Sequence, residues 1–372
     1  MFPAEKFMVS ILRVREEWGA LRKLSVVAGK TDFSSNDYLG FAGSAILSQM
    51  IENRAQKGKM LNGSGGSRLL TGNSSVVENL EKYLAQKHHA QAALIFNSGY
   101  DANLGLLSCI ASKEDTIIYD ELSHASIHDG IRLSRATSFP FKHNDMVHLE
   151  ERLKTAKGNI FVVIESVYSM DGDTAPIKEI ALLSNKYNAH LIVDEAHATG
   201  VFGMGLVQQQ HIEDEIFARV HTFGKAMGCH GAVVVGSNLL KDYLVNYARS
   251  FIYTTALPVH SLLTIECAYA LLDKSEDTLK KLHDNIHYFR TKTENKKGWI
   301  TSNSAIQSLV VAGNENVKKL ATAIQAKDID VRPIMSPTVP KGKERIRVCL
   351  HSYNTFKEID KLFEVIDKEL KQ

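Results

Sequence analysis

The sequence predicts an α/β fold: a mostly parallel seven-stranded sheet covered by helices on both faces, followed by a smaller C-terminal α+β domain. Three observations carry this. From about residue 76, apolar strands of four to six residues alternate with amphipathic helical stretches, the pattern of a parallel sheet buried on both sides. Polar residues follow several strand ends, where open α/β sheets place their sites. After "FIYTTALP" the texture changes to long helices and short strands.

Taken in order, "MFPAEKFMVSILRVREEW" reads as an amphipathic helix. It mixes Glu with Lys and Arg and has no small-residue cleavage site, so a signal peptide is not expected. An irregular connection follows to about residue 35. "SVVENLEKYLAQKHH" has helical periodicity, and "QAALIFNSG" is a strand running into a polar turn. "ANLGLLSCIAS" is a helix and "DTIIYDE" a strand. "HASIHDGIRLSR" is helical and "ATSFPFKH" extended. Helix "MVHLEERLKTA" leads to strand "NIFVVIESV", and helix "IKEIALLSNKYN" to strand "AHLIVDEAH". "VHTFGK" and "GAVVVGS" complete the seven strands. Residues 259–298 read as long helices. The short strands "AIQSLVVAG", "DVRPIMSP" and "ERIRVCLH" and the closing helix "TFKEIDKLFEVIDKEL" come after them. The expected division is an N-terminal helical segment (1–35), a large domain (36–258) and a small α+β domain (259–372).

A net charge of +2 gives no electrostatic case for nucleic acid or an anionic membrane. No apolar run approaches the roughly 20 residues that span a bilayer. Cys109, Cys229, Cys267 and Cys349 lie far apart and form no C-x-x-C, which fits buried free thiols in a reducing cytoplasm.

The chemistry begins with "HTFGKAMGCHGA", residues 221–232. Lys225 is hemmed in by Gly224, Ala226 and Gly228. A lysine buried without a partner costs several kcal/mol or loses its proton, whereas one held in a covalent bond does neither. In "LIVDEAHATG" an apolar strand delivers Asp194 at its end, with His197 three residues later. Lys225 follows Asp194 by 31 residues, enough for a helix and a strand to bring both to one sheet edge. In "FNSGYDAN", Ser98, Gly99 and Tyr100 sit where a strand turns into a helix. Backbone N–H groups there make an anion site. "DELSHASIHDG" puts His124 at a strand-to-helix turn, where its ring can stack on a flat cofactor. Arg345 and Arg347, two apart on a strand, share a face, and a guanidinium there can clamp a carboxylate.

Other patterns are weaker. "NGSGGSRLLTGN" follows no clear strand and lacks the acid of a dinucleotide fingerprint, so it reads as a tight turn. No P-loop and no G-x-S-x-G elbow occurs. His283 and His287, four apart in "HDNIH", lack a third ligand and read as a solvated helix face, as do His88 and His89. One chemistry uses the stronger features together. Pyridoxal phosphate needs a lysine, an acid beside its pyridine nitrogen, a phosphate site and an aromatic above the ring.

"FSSNDYLG", "GSGGSRLLTGN", "FNSGYDAN", "LSHASIHDG", "ESVYSMDGDTAPI", "VDEAHATGVFG" and "HTFGKAMG" resemble the α-oxoamine synthases, a fold-type I pyridoxal-phosphate group. The resemblance runs from about residue 32 to the C-terminus. It implies a dimeric, cytoplasmic acyltransferase that joins an amino acid to an acyl thioester. "SAIQSLVV" and "SPTVPKGKERIRV" look most like the members of biotin synthesis, which use L-alanine and a pimeloyl group on coenzyme A or a carrier protein. Glycine C-acetyltransferase, 5-aminolevulinate synthase and serine palmitoyltransferase are sister activities. An aminotransferase or a catalytically silent regulatory subunit is the competing class, against which the intact Lys225, Asp194 and His124 argue.

Carried over, the resemblance implies that Lys225 holds the cofactor covalently and Asp194 pairs with its ring nitrogen. It gives His197 the phenolic oxygen and His124 the stacking face. Ser98, Gly99, Tyr100 and Thr222 take the phosphate, and Ser169 lies beside the cofactor. Thr254 and Thr255 reach the partner subunit's phosphate site. Asn36 and Arg347 hold the amino-acid carboxylate, and Arg22 meets the acyl group. Two departures stand out. The stretch between "GALRKL" and "FSSNDYLG" is some ten residues short. Cys349 and His351 replace threonines expected near the substrate.

Overall fold

The computed structural model describes residues 2–24, 26, 29–57 and 61–371. The shortened connection after Arg22 includes residues 25, 27 and 28, which lie outside the described residues. The chain divides into two compact units. The larger holds residues 36–169 and 174–279; the smaller holds 1–35, 170–173 and 280–372.

Seven strands form the sheet of the larger unit: β1 (Ala92–Phe96), β2 (Thr116–Asp120), β3 (Thr137–Phe141), β4 (Ile160–Glu165), β5 (Ala189–Asp194), β6 (Ala218–Thr222) and β7 (Ala232–Gly236). Their order is β1-β7-β6-β5-β4-β2-β3. Pairs β3/β2, β2/β4, β4/β5 and β5/β6 are parallel, while β7 runs against both neighbours. Six strands therefore share one direction, and their carboxyl ends open on one edge.

Burial on both faces explains the near-continuous Val/Ile runs of these strands. Phe161, Val163, Ile192, Val220 and Val234 pack with Leu106, Leu107 and Ile127 in one core. Val162, Ile164, Leu191 and Val193 pack with Leu149, Ile177 and Ile180 in the other. Successive strand residues point to opposite faces, so the one-residue alternation of these sets is the pleat itself. Each fully buried Leu, Ile or Val contributes about 1.5–3 kcal/mol of burial.

Helix Val259–Leu272 groups with the larger unit, past the expected boundary at 258. Its sequence is apolar almost all round, and it buries Leu262, Leu263, Ile265, Ala268, Tyr269 and Leu272. Such a helix goes mostly into a core, with His260 and Glu266 as its polar exceptions. Pro258 marks the start of the helix, where proline is favoured.

The smaller unit contains a four-stranded antiparallel sheet of β8 (Trp299–Ile300), β9 (Ile306–Val310), β10 (Arg332–Ile334) and β11 (Arg345–Cys349), in the order β10-β11-β9-β8. Helix Phe356–Glu369 begins with a capping box of Thr355 and Glu358 and buries Ile359, Leu362, Phe363 and Ile366. Helix Pro3–Glu17 buries no residue. Thr31–Asp32 pairs in parallel with Ile329–Asp330, which ties the N-terminal segment to this unit.

His88 corrects the sequence reading. It was expected on a solvated face with His89, but only His89 is exposed; it meets Glu213 through Nδ1 at 2.9 Å. His88 caps the end of helix Ser75–Lys87 and is fully buried. Its ring lies 3.9 Å from that of His221, and its Nε2 is 2.7 Å from the Tyr269 hydroxyl. Burial holds both imidazoles well below their usual value of 6.5, and repulsion from Arg219 adds to it. The unfolded chain takes up protons on these rings as pH falls through 6.5, while the folded chain does not. Stability therefore falls with falling pH, by about 1.4 kcal/mol per pH unit for each histidine. Urea midpoints measured from pH 7 to pH 5 should show this slope. A His88→Gln, His221→Asn double variant should flatten it, and an unchanged slope would contradict the assignment.

Candidate active site

The carboxyl ends of β2, β4, β5 and β6 deliver the chemistry. Asp194 ends β5, and only 6% of its surface is exposed. Its Oδ2 accepts a 2.7 Å hydrogen bond from Asn103 Nδ2, and its Oδ1 accepts the Ala196 N–H at 2.9 Å. Both donors are neutral. A desolvated carboxylate held this way gains most from a cation brought to it.

Three residues beyond β6, Lys225 places Nζ 2.9 Å from His197 Nε2. His197 Nδ1 is 2.8 Å from the Tyr38 hydroxyl, which donates to Asn36 Oδ1 at 3.1 Å. The two ring nitrogens of His197 thus link the Tyr38 hydroxyl to the lysine amine.

The small residues around Lys225 serve packing as well as access. A Cβ at Gly228, whose φ is +61°, would lie 2.3 Å from the Ala42 nitrogen. A Cβ at Gly200 would lie 2.7 Å from that of Ala226. Gly224 alone faces room, with nothing nearer than Cys229 O at 3.7 Å.

Helix Gly99–Cys109 begins at Ser98, whose side chain caps Asp101 N and donates to Asp101 Oδ2 at 2.7 Å. The N–H groups of Gly99 and Tyr100 fall in the first turn, which has no intrahelical acceptors. A Cβ on Gly99 would sit 3.4 Å from Thr222 Cβ and Oγ1, so a larger residue would press on Thr222 across this turn. Thr222 Oγ1 donates to Gly231 O at 3.3 Å. Asn97, just before the turn, donates to Thr254 Oγ1 and to Thr255 O, each at 2.9 Å.

His124 is the N-cap of helix Ala125–Ser134. Its Nδ1 accepts the Ser126 N–H at 3.2 Å, which fixes the ring. Burial lowers its pKa despite the pull of Asp194, and Lys225 and His128 lower it further. The ring is therefore neutral at pH 7. Ser169 is buried four residues past β4.

Arg22 and Arg347 belong to the smaller unit. Arg22 is exposed and donates through Nη2 to Thr338 Oγ1 at 3.1 Å. Arg347 is half-buried on β11, and its neighbour Arg345 is buried and paired with Asp171. That pair removes Arg345 as a clamp for a carboxylate. Cys349 and His351 are fully buried, and His351 bonds Ser35 Oγ at 3.1 Å and Asn354 Oδ1 at 3.0 Å.

Two residues escaped sequence reasoning. Tyr38 lies inside the quoted "FSSNDYLG", but nothing in the pattern ties it to His197. Glu165 ends β4 as Asp194 ends β5, and the two are register partners. An acid closing an apolar strand was a signal at Asp194, and the same signal stood in "NIFVVIESV".

These residues fit pyridoxal phosphate. The turn at Ser98–Tyr100 offers N–H groups to a phosphate, Asp194 a carboxylate to a ring nitrogen, and Lys225 an amine to the aldehyde. Among the described residues no His, Cys, Asp or Glu group could hold a metal ion.

The family model for aminotransferase class I and II matches residues 28–366. The chain belongs to that family. The 8-amino-7-oxononanoate synthase of Emericella nidulans is 44% identical, covering 95% of this chain and 93% of that protein. The synthase of the same name from Lysinibacillus sphaericus is 37% identical, covering 96% of each. Among solved structures, serine palmitoyltransferase from S. paucimobilis aligns with a TM-score of 0.90 at 25% identity, covering 100% of this chain and 99% of that one. The Francisella tularensis 8-amino-7-oxononanoate synthase aligns at 0.79 with 31% identity, covering 92% and 98%.

Asp194→Asn keeps the shape of the site and removes the charge. A hydrogen bond to a charged group contributes about 1.5–3 kcal/mol, so pyridoxal phosphate should bind roughly 10–100-fold more weakly. Unchanged affinity in a titration of the apoprotein would contradict the pairing.

Proposed function

We propose that the chain condenses L-alanine with a pimeloyl thioester to give 8-amino-7-oxononanoate, CO2 and the free thiol, a step of biotin biosynthesis. The observation that carries the reading is 44% identity to a synthase of that name over 95% of the chain. Asp194 at the end of β5 and the 2.9 Å approach of Lys225 Nζ to His197 Nε2 support it.

Bound pyridoxal phosphate supplies a ring that stabilises negative charge at the amino acid's Cα. Lys225 holds the cofactor between turnovers and, once freed, takes the Cα proton as general base. His197, beside Nζ, accepts a hydrogen bond from that amine and keeps it aimed. Asp194 keeps the ring nitrogen protonated. Ser98, Gly99, Tyr100 and Thr222 hold the phosphate, and the neutral His124 ring covers the face. Asn36 and Arg347 take the alanine carboxylate, which leaves as CO2 once it lies β to the new carbonyl. Ser169 lies beside the cofactor, and Arg22 meets the distal carboxylate of the acyl chain. We further infer a homodimer in which Thr254 and Thr255 reach the partner subunit's phosphate site. We place the enzyme in the cytoplasm, where its four free cysteines stay reduced. Among the described residues no helix is long and apolar enough to cross a membrane.

The TM-score of 0.90 to a serine palmitoyltransferase favours one second reading, a sister condensation with serine and a long acyl chain. Product assays decide between them. With pimeloyl-CoA, alanine should outperform glycine by roughly 10–200-fold, the range one methyl allows. Pimeloyl-CoA should outperform a plain C7 acyl-CoA, whose missing carboxylate leaves a cation unpaired. Preference for serine with palmitoyl-CoA would reassign the activity.

A further inference from the structure

Glu195 follows Asp194 in the chain and is fully buried. Its Oε1 accepts the Val207 N–H at 2.7 Å, and its Oε2 accepts the Leu206 N–H at 2.9 Å and the Ser166 hydroxyl at 2.8 Å. Leu206 and Val207 open the short helix Leu206–Gln209, whose first N–H groups have no intrahelical acceptor. Ser166 lies just past β4. The side chain of Glu195 therefore joins the two ends of the segment 195–207 and ties them to the end of β4. Its backbone adds to this. The Glu195 N–H donates to Val220 O on β6 at 2.8 Å, and its carbonyl accepts Ala198 N at 3.0 Å, Thr199 N at 2.9 Å and Thr199 Oγ1 at 2.8 Å. Gly205, with a φ of +132°, lies over the carboxyl group, and a Cβ there would come within 2.8 Å of Glu195 Cδ and Oε2. Backbone approaches that closely only where no side chain stands.

We propose that Glu195 is a positioning residue of the active site, a clamp that acts through His197 on Lys225. The inference rests on the reading of this site as the pyridoxal-phosphate site. His197 stands two residues after Glu195, inside the clamped segment, and its Nε2 lies 2.9 Å from Lys225 Nζ. A hydrogen bond weakens steeply with misalignment, so the backbone under His197 has to be fixed. The residue type follows from the donors. Two backbone N–H groups meet two different side-chain atoms, so both atoms must carry a lone pair. A carboxyl group meets that demand. A glutamine does not, because its amide nitrogen only donates. Either orientation of that amide sets the nitrogen against the N–H of Leu206 or of Val207. One buried N–H is then left unpaired, and the clamp opens at that point. An aspartate is one methylene too short to span the same ends. His197 beside Nζ bears on the protonation of the lysine nitrogen. The pH at which the visible band of the loaded protein changes therefore reports where His197 stands.

The test is a double-mutant cycle of wild type, Glu195→Gln, His197→Asn and the double variant, each loaded with pyridoxal phosphate. The visible band is titrated against pH, and kcat and KM for alanine are measured. Glu195→Gln should move the midpoint of the band in the same direction as His197→Asn does. It should lower kcat about tenfold, the scale of one unpaired buried N–H, and leave KM for alanine within about threefold of wild type. In the His197→Asn background the same substitution should move neither midpoint nor kcat by more than about twofold. Equal effects in both backgrounds would make Glu195 a merely structural residue and overturn the proposal. So would a Glu195→Gln protein with the midpoint and kcat of wild type. Should Glu195→Gln not fold, Ser166→Ala removes one of the three donors and leaves both N–H bonds. It should move the midpoint in the wild-type background and not in His197→Asn, and a shift in both or in neither overturns the proposal. A visible band in wild type with an additive cycle refutes this inference alone. Failure of every form, wild type included, to gain a visible band would refute the cofactor reading and this inference with it.

Discussion

Desolvation of the Asp194 carboxylate is the constraint around which the larger unit is organised. A buried carboxylate without a cation is expensive, and Asp194 is held by two neutral donors. One of them, Asn103, sits in helix Gly99–Cys109, whose N-terminus follows the Ser98 cap. Asn103 Nδ2 also reaches Ser126 Oγ, in the helix that His124 caps. Asp194, the first turn of that helix and the helix that His124 caps are thus linked through a single asparagine. A displacement of any one is felt by the other two.

The parallel sheet makes this possible. Six strands end on one edge, so residues far apart in sequence arrive together without long loops. The residues that then face the lysine are neutral or acidic. His197 stands beside the lysine amine, burial lowers the pKa of His124, and burial pushes the Glu165 carboxyl up to about 8. A site so arranged leaves positive charge to the lysine and to what it carries.

Much of this was legible in the sequence. Lys225, Asp194, His197 and His124 each stood at a strand end or turn, and a strand end is a local pattern. The seven strands followed from their apolar runs. What escaped depended on contacts between distant segments. His88 and His89 are adjacent and alike, and only the packing of Tyr269 and His221 decides that one is buried. Tyr38 acts through His197, 159 residues away. Glu165 carried the same signal as Asp194 but lacked a neighbouring histidine to draw attention. The small residues at 226 and 228 hem in Lys225 in the sequence, and only the fold shows that they meet Gly200 and the Phe41–Ala42 backbone.

The central claim is that Lys225 is the covalent anchor of pyridoxal phosphate. Borohydride reduction of the loaded protein fixes the cofactor where it sits, and peptide mapping by mass spectrometry locates it. The account predicts a pyridoxyl group on Lys225 and on no other lysine. Reduction that traps the cofactor on a different lysine, with turnover intact, would contradict it.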